Sequence, residues 1–333
     1  MPILDIGYRE WRGERSPAWT RAWVVASTGV SLVWRGMWIK RLLMLMVMPS
    51  LVAAVFVGVF EQFASTNSPQ NEVISMILSG PASEQMASEA GLDLDEIRKD
   101  PSKARHFAWT YILFVLFRYP QSVGMILLVG LVAPRLISFD LRSRGYLLYL
   151  SRPLTPAEYV LGKAGVLCVL LFSIVTLPSL AIYVAGLCLS TDAGAIWMTW
   201  DIPFRIIAAS IVLILPTTAI ALALSSMTQE SRYAGFAWFA VWILGQVTYS
   251  ALWIATEAVQ AQARGYQPGE FISTKYSPII MFSPYESLGY IQKQVFSLLP
   301  YGESSLAPWI LMMGVTILGY SIAYWRVART LKA

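Results

Sequence analysis

The chain has 333 residues, of which 56% are hydrophobic and 14% charged, and its mean hydropathy is +0.56. Soluble domains carry about 25% charged residues, so an ordinary soluble enzyme is excluded: the charge needed to cover one or two globular domains is absent. The 25 Lys and Arg against 20 Asp and Glu give a net charge of +5, which carries meaning only through where the charges sit.

From the N-terminus, residues 1–41 contain Arg9, Glu10, Arg12, Glu14 and Arg15 and no uninterrupted apolar core behind a short basic start, so a signal peptide is not expected. The stretch from Trp19 to Arg41 is apolar only in its middle, AWVVASTGVSLVW, which is too short to span a bilayer. Trp19 and Trp23 are four residues apart, as are Trp34 and Trp38, with basic residues around both pairs. This predicts an amphipathic helix in the cytoplasmic interface with its indoles at headgroup level; the competing expectation is a helix packed on the bundle.

Six segments are then long and apolar enough to cross about 30 Å of hydrocarbon as helices. They are 42–60, 119–139, 164–189, 206–226, 234–256 and 307–325, within a six-span membrane domain 42–325 and before a tail 326–333. Their apolar runs are continuous rather than alternating, and a helix satisfies its own backbone in lipid, so an all-α polytopic bundle of six transmembrane helices is predicted. Pro49, Pro134, Pro178 and Pro216 lie inside spans, and each removes one intrahelical hydrogen bond, with a kink expected.

Outside the spans, the loop from Glu61 to Arg118 reads as polar with one short helix, and its apolar end HFAWTYILFVLF either lengthens the second span or lies along the outer surface. His106 reads as a solvated loop residue, and as the chain's one histidine it allows no zinc site of histidine spacing. Cys168 and Cys188, 20 residues apart on one helix, are about 30 Å from each other, beyond a disulfide. The segment from Glu257 to Leu306 suits short interfacial or re-entrant helices. With both termini in the cytoplasm, the inside segments hold 16 basic and 6 acidic residues and the rest of the chain 9 and 14. The positive-inside tendency selects this orientation.

The most specific local signals fall between the second and third spans, in FDLRSRGYLLYLSRPLTPAEYVLGK, Phe139 to Lys163. Thr155-Pro156-Ala157-Glu158 fits a capping box with proline at the first helical position, so the third helix begins before its apolar run. Pro153 disfavours a helical Arg152, so the preceding helix ends near Leu150 or Ser151. Two readings of this helix, break and helix remain open on the residues alone. It is a plain turn whose basic residues anchor topology, or it offers Asp140, Arg142, Arg144, Arg152, Glu158 and Lys163 to a cytoplasmic partner.

The same segment resembles the cytoplasmic loop of type-2 ABC exporter permeases. The matching positions are Asp140, Gly145, Leu147, Leu148, Leu150, Ser151, Arg152, Pro153, Glu158, Gly162 and Lys163; Asp140 stands where a glutamate is more usual, and Tyr146 where the family often has a threonine. The six-span plan, the N-terminal helix and the short loop Met227 to Tyr233 agree with the resemblance, but only the stretch from Asp140 to Lys163 is motif-like. The resemblance implies a permease subunit in the cytoplasmic membrane, paired with a second permease subunit and with a separate ABC ATPase. It further implies that Phe139 to Leu150 form a coupling helix with Asp140, Arg142 and Arg144 as polar contacts, and that Gly145, Leu147, Arg152, Glu158 and Lys163 belong to the coupling site. ATP would be bound by the partner subunit, with no cofactor in this chain; Gly162-Lys163 is not part of a phosphate loop, which requires a glycine at Ala157 and a Ser or Thr at Ala164.

Other classes fit less well. An intramembrane enzyme needs paired carboxylates or a histidine with a nucleophile at membrane depth, and no such set stands in the spans. A secondary transporter or channel places ionisable groups near the midplane, whereas Arg118, Arg135, Arg205 and Glu257 read as span-end anchors. A non-transporting membrane subunit is the remaining alternative. Ser173, Thr176, Thr217, Thr218, Gln246 and Thr248 are the polar span residues from which a pathway would draw, and nucleic acid is not an expected partner.

Overall fold

The apolar runs fold as long helices that extend past the hydrophobic segments on both sides. The computed structural model describes residues 20–65, 101–143, 154–190, 194–264, 277–299 and 305–330, and among these there is no strand. The helices are α1 (Thr20–Trp34), α2 (Met37–Ser65), α3 (Pro101–Leu116), α4 (Ser122–Leu136), α5 (Ser138–Arg142), α6 (Pro156–Leu171), α7 (Leu177–Leu189), α8 (Ala195–Met198), α9 (Ile202–Met227), α10 (Ser231–Arg264), α11 (Pro284–Val295) and α12 (Ala307–Thr330). Among the described residues, six segments are long and apolar enough to cross a membrane: Met37–Val59, Arg105–Arg142, Pro156–Leu189, Ile202–Met227, Ser231–Thr256 and Ala307–Arg329.

Two π-helical turns, Phe117–Gln121 and Phe172–Thr176, join α3 to α4 and α6 to α7. Each absorbs one extra residue in a continuous helix. The second precedes Pro178, whose missing N–H leaves the Ile174 carbonyl without its usual intrahelical donor. Gln121, in the first π-turn, donates its Nε2 to that carbonyl at 3.0 Å. A side chain from the second span thus repairs the break that a proline makes in the third. Pro49 and Pro216 lie inside α2 and α9, which remain helical through them.

The apolar tail of the first large loop settles into the second span: residues 105–142 form one apolar helical stretch of 38 residues, about 57 Å long. Glu61 likewise belongs to α2, and His106 lies on α3. Both positions therefore differ from the loop expected for Glu61 to Arg118, because apolar residues continue on either side of the charges and the helix does not stop at them.

The core lies around α4 and α9. In their most apolar 18 residues the second and fourth spans are each 67% buried, the fifth only 6%. On α10 the buried stripe is Ala234, Trp238 and Trp242; the two indoles meet edge to face at 5.4 Å, and Trp238 Nε1 donates to Ile126 O at 2.9 Å. Its opposite stripe, with Phe236, Ile243, Leu244, Val247 and Ile254, is exposed.

α1 packs lengthwise on α6. Arg21 lies 3.9 Å from Glu158, and a Cβ on Gly162 would stand 2.6 Å from Val25 Cβ and 3.0 Å from Ala22 O. A Cβ on Gly165 would meet Ala26 at 2.9 Å. These contacts step along both helices in the same direction, so α1 runs beside the start of the third span, and glycines permit the approach. The helix breaks at Arg35 and Gly36, so Trp34 closes α1 and Trp38 falls in the first turn of α2.

Candidate functional site

Thr155 caps α6 as expected: Glu158 N donates to Thr155 Oγ1 at 3.3 Å and Thr155 N to Glu158 Oε2 at 2.7 Å, with Pro156 in the first turn. One turn further, Lys163 Nζ stands 2.7 Å from Asp140 Oδ2, and Tyr159 donates its hydroxyl to the same oxygen at 2.7 Å. Tyr159 and Lys163 are four apart on α6, so both face α5. The lysine also sits 5.4 Å from the Tyr159 ring centroid.

Asp140 and Lys163 are nearly enclosed, with side chains 13% and 11% exposed. Their charges meet each other, Tyr159 adds its hydroxyl to the same carboxylate, and the clamp fixes the end of the second span to the start of the third. Phe139, in contrast, is 60% exposed, and Arg142 reaches across to Glu230 at 3.1 Å with most of its side chain in the open. Glu158 serves the cap and approaches Arg21. Gly162 supplies the close contact with α1. The structure therefore divides the nominated residues into a clamp, a cap and an outward pair. Arg144, Gly145, Leu147 and Arg152 lie outside the described residues, as does the part of the expected coupling helix beyond Ser143.

At this hairpin end Arg326 also caps the close of α9, donating to Ser226 O at 3.4 Å and Met227 O at 3.0 Å.

The opposite end is built differently. Arg105 donates twice to Glu61, at 3.1 Å each, and Trp109 Nε1 donates to the same carboxylate at 3.1 Å. Glu61 is fully buried, so three donors replace its water. His106 Nε2 lies 3.1 Å from both Asp201 oxygens, and Arg205 Nε is 2.5 Å from Asp201 Oδ2 while its Nη1 reaches Val295 O at 2.7 Å. Burial pushes the Asp201 carboxyl up, but hydrogen bonds and charge from Arg205 and His106 outweigh it and hold the group below the ordinary aspartate value. His106 thus stands on a helix against the Asp201 carboxylate rather than in a solvated loop, a contact between positions 95 apart that spacing alone does not disclose.

Arg118 is the clearest departure from the sequence expectation. It lies inside the 105–142 stretch, about 20 Å along the helix from Arg105, and not at a span end. Its Nη2 is 2.5 Å from Glu286 Oε2 on α11, and its guanidinium stacks 3.6 Å from the Tyr285 ring centroid. Gln246 of α10 donates to Glu286 at 3.0 Å and accepts from Ser283 at 3.0 Å. A Cβ on Gly289 would come within 2.8 Å of Arg118 Nε, so that glycine makes the room for the guanidinium. α11 begins at a Ser283 cap and Pro284, and its charged start is folded back against the second and fifth spans.

Of the polar span residues, Ser173 and Thr217 bond to carbonyls of their own helices, Thr218 pairs with Tyr320 at 2.7 Å, and Gln246 belongs to the Glu286 network. Thr176 is buried, and Thr248 lies on the exposed stripe of α10.

Six apolar helical segments among the described residues, the second and third of them clamped to each other by Asp140, Lys163 and Tyr159, define a polytopic helical membrane protein. The profile of the family described as ABC-2 family transporter protein matches residues 34–329. The chain belongs to that family and is the membrane subunit of an ABC transporter, for which family membership implies an ATPase partner. No curated protein matches the chain.

Proposed function

We propose that the chain is an exporter permease that works with a second permease subunit, and that the segment beginning at Phe139 couples it to a separate ATPase subunit that binds the ATP. The observation that carries this reading is the Asp140–Lys163–Tyr159 clamp, which joins α5 rigidly to α6 while Phe139 and Arg142 face outward. A push on the outward pair passes into two spans at once, which is what rigid-body coupling requires. The charge distribution supports placing this end and both termini in the cytoplasm. The exposed stripe of α10, from Phe236 to Ile254, supports a second permease subunit covering the fifth span.

The test is copurification in mild detergent. Arg142→Glu combined with Arg144→Glu should remove the ATPase chain while the permease remains folded; full retention of the ATPase by that variant sinks the coupling assignment. Cysteines placed at Val247 should crosslink between permease copies or between paired permeases. The Arg118–Glu286 pair favours ion-coupled transport as a second reading, since ionisable groups within spans often mark ion paths. Their mutual pairing supports a structural tie instead, and substrate flux in proteoliposomes without ATP decides between them.

A further inference from the structure

Between α1, the start of α2 and the α6 residue Val169 lies an open groove of about 450 Å³. Its walls are apolar apart from the hydroxyls of Ser27 and Ser31 and the cations Arg35 and Lys40, and Trp23 and Trp34 stand at its sides. The two cations flank the α1–α2 break, and no described carboxylate pairs with either. The sequence offers no local partner: no Asp or Glu occurs between Glu14 and Glu61, while Arg15, Arg21, Arg35, Lys40 and Arg41 all fall in that stretch. The uncharged run from Leu42 to Phe60 starts two residues after Lys40. Trp38 at that point is 80% exposed with Arg41 over its ring at 5.4 Å. Cations without a carboxylate partner among the described residues, exposed indoles and the first residue of an apolar span together mark the level of phospholipid headgroups.

We propose that this groove binds an anionic phospholipid, with Arg35 and Lys40 on the headgroup phosphate, Ser27 and Ser31 as hydrogen-bonding partners, and the acyl chain along Trp34 and Val169. This rests on reading the start of α2 as a membrane edge. The charge balance selects the ligand: two cations with no described carboxylate beside them, next to an apolar wall, complement an anionic head attached to a hydrocarbon tail. A free phosphate would use only half of the site.

Native mass spectrometry of the full chain, with phosphatidylglycerol or phosphatidylcholine of identical acyl chains, tests the proposal. Phosphatidylglycerol should be retained selectively. Arg35→Gln with Lys40→Gln should weaken it about 30-fold, each basic residue near an anionic surface being worth about fivefold. Arg35→Lys should restore most of the binding. Ser31→Trp, at an exposed position, fills the groove and keeps both cations; it should also abolish selective retention, which separates a built groove from general charge attraction. Equal binding of the two lipids, undiminished binding by either the charge or the filling variant, or equal competition by glycerol phosphate overturns the proposal. A spin label at Thr28→Cys reports membrane depth independently, so an aqueous signal there would refute the membrane-edge reading whatever the lipid result.

Discussion

The two ends of the bundle use the same charged residue types for opposite ends. At the end away from the hairpin, Glu61 meets Arg105 and Asp201 meets His106 across segments far apart in sequence, Arg205 joins Asp201 from the next turn, and Arg118 with Glu286 carries the long-range pattern deeper into the bundle. At the hairpin end one pair, Asp140 with Lys163, is enclosed, and the others stand in the open. Enclosed pairs have lost their water and must keep their partners, so they fasten helices. Exposed pairs lose little on separation and are free to exchange partners. The difference separates a fastened end from an end whose charges stay accessible.

The comparison is challenged most severely at Arg118. Arg118→Met leaves Glu286 enclosed with Gln246 as its remaining donor, and should cost about 3–5 kcal/mol in equilibrium unfolding in mixed micelles. A loss under 1 kcal/mol would mean that the fastening at this end is illusory. Lys163→Met leaves Asp140 with Tyr159 alone and should cost about 1–3 kcal/mol. A double-mutant cycle with Asp140→Asn should return a coupling within about 0.5–3 kcal/mol, and additivity would show that the clamp does not act as a unit.

The Asp201 carboxyl gives a smaller effect with a defined pH sign. Its folded value is depressed, so its contribution is complete above the unfolded aspartate value, near about pH 4, and falls away as pH drops through the folded value. Unfolding midpoints of the parent and of Asp201→Asn should therefore differ at neutral pH and converge in acid; divergence in acid would reverse the assignment. Arg142→Ala sets the lower bound. Its pair with Glu230 is exposed, so stability should move by no more than about 0.5 kcal/mol, while ATPase copurification should fall. A large stability loss would place Arg142 with the fastening residues and erase the contrast.

Much of this was legible in the residues. The uncharged run of Leu42 to Phe60 and its counterparts announce helices because a chain in lipid has to satisfy its backbone internally. The capping box at Thr155 was equally readable, since its partners are three residues apart. The enclosed charges were not: Arg118 and Glu286 are 168 positions apart, and His106 and Asp201 95. Nothing in local spacing distinguishes an arginine at a span end from one that meets a glutamate on a returning helix. Gly162 shows the same limit, because its use appears only when α1 lies against it.

The sequence by itself determined that the chain is helical, how many segments suit a bilayer, and where the hairpin helix begins, because hydrophobic length and capping act over a few turns. Tertiary structure alone decided which charges are enclosed. Enclosure depends on which helices touch, and the stability of an ion pair follows from the water it loses when they do.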